Sequence, residues 1–360
     1  MAVTANQMKI LTIIGARPQF IKAATVSRQV ALFDNVTEVI VHTGQHYDAN
    51  MSDVFFEELS IPRPDHHLGI GGGFHGAMTG RQLEAIEGVL LEEKPDCVLV
   101  YGDTNSTLAG GLAAAKLHIP VAHVEAGLRS FNRRMPEEVN RILTDHLSER
   151  LFTPTDTAMA NLRREGLPEE RLHLVGDVML DASLFYRDRA RPPAWFDGLG
   201  VDPGDFVLAT VHRAENTDDA RRLSDILRGL AESDLPVLLP LHPRTRARIE
   251  EYGLELPDRL RVTEPVGYLE MVWLEANCRC IATDSGGVQK EAYFFSKPCI
   301  TLRDETEWVE LVRAGANTLV GADPDGIAEA LTTLQGWTVA DRDIYGSGTA
   351  AKKILLELTR

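Results

Sequence analysis

The chain has 360 residues, 44% of them hydrophobic, more than one compact core usually absorbs, so two domains are the first expectation. Acidic residues outnumber basic ones, 53 to 37, and the formal net charge is −16. That field repels a polyanion and excludes general nucleic-acid binding, while a small anion can still be held by a helix N-terminus and single arginines. No apolar window is long enough for a membrane helix, and the opening MAVTANQMKILTIIG has too short an apolar run for a signal peptide. Cys97, Cys278, Cys280 and Cys299 lie in apolar, strand-like runs and read as buried free thiols, which suits a reducing cytoplasm.

In chain order, MKILTIIG, VTEVIVHT, CVLVYGD, PVAHVEAG and RLFTP read as strands, with helices between them that include 81–92 and 106–117. Such alternation predicts a parallel sheet covered on both faces. Beyond Gly176 a helix runs through 184–187, and RARPPAWFDGLGVDPGD then reads as a surface connection because of its prolines, glycines and acids. A second series follows: FVLATVH, LPVLLPLH, RLRVTEP, RCIATD, PCITL and NTLVG. The expectation is two doubly wound α/β domains, 1–176 and 177–348, facing across a cleft, with the amphipathic end 349–360 packing on the first.

Ligands of such sheets gather beyond the carboxyl ends of the strands, and the polar motifs sit there. The first is Gly15-Ala16-Arg17-Pro18-Gln19-Phe20-Ile21-Lys22, a glycine turn into a proline-started helix whose amides point at an incoming anion, with Arg17 and Lys22 adding charge. The second, Gly102-Asp103-Thr104-Asn105-Ser106-Thr107, places an acid before hydroxyls that also serve as a helix cap. In His123-Val124-Glu125, strand alternation leaves His123 and Glu125 on one face, and a buried Glu is either paired or functional. In Arg133-Arg134-Met135-Pro136-Glu137-Glu138, Pro136 opens a helix with two acids in its first turn, where they also suit the helix dipole.

The second half offers His212-Arg213-Ala214-Glu215-Asn216, His242-Pro243-Arg244 and Asp284-Ser285-Gly286-Gly287-Val288-Gln289-Lys290-Glu291. Ser285-Gly286-Gly287 supplies close backbone approach and free amides suited to a diphosphate, and Glu291, one turn in, can accept both hydroxyls of a ribose. Several carboxylates and one histidine make an acid–base set rather than a nucleophilic triad.

Other motifs fail their context tests. Gly69-Ile70-Gly71-Gly72-Gly73 lacks the last glycine of a dinucleotide fingerprint and follows Asp65-His66-His67 rather than a strand. Cys278-Arg279-Cys280 has no second ligand pair and reads as core with both thiols on one strand face, and His66-His67 has no metal spacing. Neither G-x-S-x-G nor a P-loop is present.

GARPQFIKAA, YGDTNSTLAGGLAAAKLHIPVAHVEAGLRS, MPEEVNR, GDVMLDA, VHRAEN, HPRTR and TDSGGVQKEA, in that order, resemble the non-hydrolysing UDP-N-acetylglucosamine 2-epimerases from Lys9 to the C-terminal helix. The resemblance implies two Rossmann-like domains of the glycosyltransferase-B type, a UDP-sugar between them, no NAD or metal, and a homodimer. It also implies elimination of UDP to a 2-acetamidoglycal and re-addition. Asp103, Glu125, Glu137 and His212 are then the acid–base residues, with no assignment of residue to face. Arg17, Lys22 and the Ser285, Gly286 and Gly287 amides would hold the diphosphate, His242 and Arg244 would lie near it, and Gln289 and Glu291 would hold the ribose and uracil.

Gly44-Gln45-His46-Tyr47-Asp48 departs from the family segment that helps bind a second, activating UDP-sugar, which puts that activation in doubt. GGGFHGAMTGRQLE and SFNRRMPEE look more like the branch acting on UDP-2,3-diacetamido-2,3-dideoxy-glucuronate, whose extra carboxylate Arg133 or Arg134 would pair. UDP-N-acetylglucosamine is the other substrate in view. A hydrolysing epimerase, a glycosyltransferase of the same fold and a non-catalytic sugar-nucleotide sensor are the competing readings.

Overall fold

A computed structural model of the chain describes residues 7–45, 62–333, 337 and 343–360. It divides into two units, Met1–Ala182 with Asp343–Arg360, and Ser183–Arg342. No helix among the described residues is long and apolar enough to cross a membrane.

The first unit runs through β1 (Met8–Ile14), α1 (Arg17–Val30), β2 (Val36–His42), β3 (His66–His67), α2 (His75–Glu93), β4 (Cys97–Tyr101) and α3 (Asn105–Lys116). It continues with β5 (Val121–Val124), α4 (Pro136–Leu147), β6 (Arg150–Thr153), α5 (Asp156–Arg164), β7 (Leu172–Leu174) and α6 (Val178–Arg187), inside which the division falls. Its sheet has seven strands in the order β3-β2-β1-β4-β5-β6-β7, each neighbour parallel to the next. Helices cover both faces, so β4 is buried at every position and its residues are apolar without alternation. On one face Leu11, Ile13, Val98 and Val100 pack with Ile86 and Ala113 of α2 and α3. Gly110 lets α3 ride close to the sheet: a Cβ there would stand 2.5 Å from Ile13 Cδ1.

The second unit holds β8 (Val207–Thr210), α7 (Ala214–Thr217), α8 (Ala220–Ala231), β9 (Val237–Pro240), α9 (Pro243–Tyr252), β10 (Leu260–Thr263) and α10 (Tyr268–Asn277). Then come β11 (Cys280–Thr283), α11 (Gly286–Phe294), β12 (Cys299–Thr301), α12 (Val309–Arg313), β13 (Asn317–Leu319) and α13 (Pro324–Thr333). Six parallel strands lie in the order β10-β9-β8-β11-β12-β13. The two-residue period of β8 separates its cores: Val207 and Ala209 enter one with Leu223 and Leu239, Leu208 the other with Leu238 and Ile281.

The chain returns to the first unit as α14 (Ala350–Leu358), which packs on α1. The Asp181 carboxylate caps that helix, accepting from Ala350 N at 3.0 Å and Ala351 N at 2.9 Å. Gly176, at φ 96°, passes so near this segment that a Cβ would lie 2.8 Å from the Tyr345 carbonyl oxygen.

Three expectations are corrected. The segment 189–205 is not only a surface connection, because Phe196 is buried among Phe206 and Trp273, with ring centroids 5.6 and 4.7 Å away. His66–His67 does form a strand, a two-residue edge piece beside Val41–His42. Cys278 and Cys280 are buried, but on opposite sides of the sheet, because Cys278 ends α10 and only Cys280 belongs to the strand. Burial pushes the Cys280 thiol up to about 12, which disfavours the thiolate that metal binding needs.

Glu38 of β2 is half-buried, accepts from Thr12 Oγ1 at 2.5 Å, and has its pKa raised. Burial raises it most and the charge of Asp65 adds to it, against hydrogen bonds from Ser27 and Thr12. A raised carboxyl favours folding most below its unfolded value and loses that contribution as pH rises through its folded value. Urea unfolding of Glu38→Gln should therefore lose part of the wild-type decline in stability as pH rises above the ordinary carboxylate range. An unchanged slope would show that Glu38 does not titrate in this window.

Candidate active site

In both sheets the strand order reverses beside the first strand, between β1 and β4 and between β8 and β11. Connections leave in opposite directions there, so a crevice opens beyond the carboxyl ends of those strands. In the first unit the crevice is bordered by the Gly15–Gln19 turn and the Gly102–Thr107 turn.

The first turn is tied down from inside. Gln19 is buried; its Oε1 accepts from Gly15 N at 2.8 Å and Ala16 N at 3.0 Å. Its Nε2 donates to Tyr101 O at 2.8 Å and Thr107 Oγ1 at 2.9 Å. The amides of Gly15 and Ala16 are therefore spoken for, which corrects the expectation that they face an anion. Arg17 heads α1, and its side chain lies outside the described residues.

Two carboxylates meet two cations in this crevice. Asp103 forms an ion pair with Arg141, and Glu125 forms one with Lys22. Lys22, expected on a diphosphate, thus faces Glu125. Glu125 follows β5 in the left-handed region, φ 69°, a strained setting for a glutamate, and this ends the strand alternation assumed from the sequence. Gly102 admits the pair: a Cβ there would touch both Glu125 Oε2 and Lys22 Nζ, each at 3.4 Å.

Of the two acids opening α4, Glu138 is buried and accepts from Ser130 N, Ser130 Oγ and Phe131 N, each at 2.9 Å, and from Arg141 Nη1 at 3.1 Å. Glu137 is exposed on the same turn. Asn140 Nδ2 donates to Asp103 O at 3.0 Å and Asn105 Oδ1 at 3.1 Å, so α4 positions the Asp103 turn. Asn140 and Arg141 stand in the MPEEVNR motif one turn beyond the acids, the helical spacing that would have marked them. Arg133 and Arg134 are exposed, and neither guanidinium has a partner among the described residues. Gln45 Oε1 accepts from Ser106 N at 3.0 Å and Ser106 Oγ at 2.8 Å, while His46, Tyr47 and Asp48 lie outside the described residues.

Beneath the turns sits a buried charge cluster that sequence reasoning missed. His123 Nε2 donates to Gly102 O at 2.7 Å, and its Nδ1 meets Asp145 Oδ1 at 2.7 Å. Asp145 Oδ2 accepts from Arg129 Nη1 at 2.7 Å and Gly127 N at 3.1 Å. Burial pushes the Asp145 carboxyl up, but His123 and Arg129 outweigh it and hold the group below the usual carboxylate range.

In the second unit Asp284, fully buried, pins the turn after β8: it accepts from His212 N at 3.0 Å, Arg213 N at 2.9 Å and Asn216 Nδ2 at 3.1 Å. Its Oδ1 lies 3.4 Å from His212 Nδ1, and the His212 ring, partly exposed, sits 5.4 Å from that of His242. His242 Nδ1 caps α9 by accepting from Arg244 N at 3.2 Å. The Arg244 guanidinium turns instead to Asp218, at 2.6 Å, and Thr217.

Ser285 is the N-cap of α11, and Gly286 and Gly287 begin it, so their N–H groups have no intrahelical partner. Gly286 gives Glu307 room: a Cβ would stand 2.4 Å from Glu307 Oε1, and the carboxylate would have to shift. Burial raises the Glu307 carboxyl, but Arg303, bonded at 2.7 Å, and then Arg213 hold it below its ordinary range. Gln289 points into the core, accepting from Thr306 Oγ1 at 2.7 Å and Asn317 Nδ2 at 3.2 Å, so it supports the Thr306 turn and does not reach solvent for a uracil. Glu291 is buried beside it on the helix.

The family model described as UDP-N-acetylglucosamine 2-epimerase matches residues 29–359. The UDP-2,3-diacetamido-2,3-dideoxy-D-glucuronate 2-epimerase of Pseudomonas aeruginosa is 59% identical over 353 residues, 96% of this chain and 98% of its own. A Methanocaldococcus jannaschii UDP-GlcNAc 2-epimerase structure in complex with UDP-GlcNAc and UDP superposes with a TM-score of 0.86 at 45% identity, covering 98% of this chain and 99% of that one. The Neisseria meningitidis UDP-GlcNAc 2-epimerase bound to UDP-GlcNAc gives 0.84 at 32% identity, covering 98% and 99%.

Removing one member of a buried ion cluster strands the others, at about 3–5 kcal/mol. Asp145→Asn should lower unfolding stability by that order in urea titrations at neutral pH. Because a depressed carboxyl stabilises above its unfolded value and fails as pH falls through its folded value, the difference from wild type should shrink in acid. A difference independent of pH would refute an ionised Asp145.

Proposed function

We propose, from the premise that the chain belongs to the UDP-N-acetylglucosamine 2-epimerase family, that its substrate is UDP-2,3-diacetamido-2,3-dideoxy-D-glucuronate. The chain is an enzyme, a UDP-sugar 2-epimerase with two parallel-sheet α/β domains of the glycosyltransferase-B type. The observation that carries the chemistry is the pair of carboxylates, Asp103 and Glu125, each with its own cation at the β1/β4 switch point. The 59% identity to the P. aeruginosa enzyme supports the uronate, as do Arg133 and Arg134, exposed and without a partner for either guanidinium among the described residues, which suit a substrate carboxylate.

The C2–H of a 2-acetamido sugar is not acidic, so deprotonation has to be coupled to departure of the nucleotide. In the proposed reaction a base takes the C2 proton, the C–H electron pair becomes the C1=C2 bond, and the C1–O bond breaks as UDP leaves. Re-addition reverses each change, with the proton delivered to the other face of C2 and a UDP oxygen reattached to C1. Net redox change is zero. Asp103, Glu125, Glu137 and His212 are the acid–base candidates, and Lys22 and Arg141 hold two of them ready by charge. The free amides of Gly286 and Gly287 stabilise the leaving diphosphate, and Glu291 accepts from the ribose hydroxyls. A homodimer in the cytoplasm completes the proposal, the buried free thiols fitting a reducing compartment.

The test is incubation with each UDP-sugar in deuterated water, followed at C2 by proton NMR. The manno epimer should appear with deuterium at C2 and UDP still attached, faster from the uronate. Asp103→Asn and Glu125→Gln should each lower kcat by about 10²–10⁴-fold. Arg133→Ala with Arg134→Ala should raise KM for the uronate about three- to tenfold and leave that for UDP-GlcNAc unchanged. Free sugar plus UDP would place the chain among hydrolysing enzymes, and no exchange at C2 would defeat the acid–base reading.

A further inference from the structure

Helix α10 carries two glutamates with opposite fates. Glu270 lies in its first turn and accepts from Gly267 N at 2.9 Å, an ordinary cap. Glu275 points inward and is 1% exposed. Neither of its oxygens meets a donor from an amide, hydroxyl or basic side chain among the described residues. The side chain of Glu291, on the helix α11 that packs against α10, lies beside it. The other titratable group facing the pair is the Tyr268 phenol, itself buried and stacked edge-on against Tyr186 at 5.3 Å.

Two carboxyl groups in contact cannot both ionise in a buried site; one proton has to lie between them. Glu275 is the more deeply buried, and burial first, then the charge of Glu291 and the bond to it, drive its pKa well above the ordinary carboxylate range, with nothing offsetting the rise. The deeper burial of Glu275 disfavours a charge on it.

We propose that Glu275 is a positioning residue for the nucleotide end of the site: as a neutral carboxylic acid it donates its O–H to Glu291 and fixes that carboxylate as an acceptor. The inference rests on the reading of Glu291 as the ribose-hydroxyl acceptor. A vicinal diol offers two donors, and an ionised carboxylate held in one orientation answers both. Without the buried donor, the ionised form of Glu291 would lose one hydrogen bond, gain a proton more readily and lose acceptor character.

The experiment measures calorimetric binding of UDP and of 2′,3′-dideoxy-UDP to the full chain and to Glu275→Gln and Glu275→Met. Wild type should prefer UDP by at least about tenfold, the value of one hydrogen bond to a charged group. Glu275→Gln keeps an N–H donor and should keep that preference, whereas Glu275→Met should lose it while binding dideoxy-UDP as wild type does. A Met variant that retains the preference overturns the proposal. Absence of the preference in wild type instead removes the role of Glu291 and leaves the shared proton to a second measurement. That measurement is the infrared difference between wild type and Glu275→Gln at neutral pH, which also serves if Glu275→Met does not fold. A protonated-carboxyl band present only in wild type supports the neutral acid, and its absence overturns it.

Discussion

A parallel sheet whose strand order turns back on itself has one place where neighbouring connections diverge. In this chain that place occurs twice, between β1 and β4 and between β8 and β11. Everywhere else a crossover helix closes over the strand ends, while at the reversal the carboxyl ends and the adjoining helix starts stay open. The turns at Gly15 and Gly102 begin where β1 and β4 stop, and those at His212 and Asp284 where β8 and β11 stop, while Glu125 follows β5 and His242 follows β9. The winding thus sets where most of these polar groups stand.

Holding charged side chains at such a platform requires partners below it. In the first unit the support is ionic: Arg129, Asp145 and His123 form a buried chain that ends on the carbonyl of Gly102, directly before Asp103. In the second unit a single buried carboxylate, Asp284, gathers the amides of His212 and Arg213. Both devices place a functional loop by satisfying its backbone from inside, which leaves the loop's side chains free to face outward. The cost is dependence on ionisation, because a buried carboxylate that loses its charge loses several bonds at once.

The two units differ in what their strand ends present. The first carries carboxylates with attached cations, and the second helix amides and histidines. The first pattern suits groups that exchange protons, the second a site for a small anion.

Much of this was legible without coordinates. Runs such as CVLVY and VLLP are apolar at every position, as strands buried on both faces are, so the parallel sheets followed from pattern alone. The ordered motifs pointed to Asp103, Glu125, Glu137 and His212 as candidates, because they stand at the ends of strands or helices. Partners were not legible, because pairing depends on which distant segments the topology brings together: Lys22 to Glu125, Arg141 to Asp103, and Glu275 to Glu291. Direction was equally hidden. Gln19 and Gln289 sit in motifs that read as ligand contacts, yet their side chains turn inward to hold the turns in place. The sequence alone determined which residues stand at the ends of strands, since local periodicity sets that. Only the tertiary structure decided which of them face outward and which are consumed as support, since burial and long-range hydrogen bonding are properties of the assembled fold.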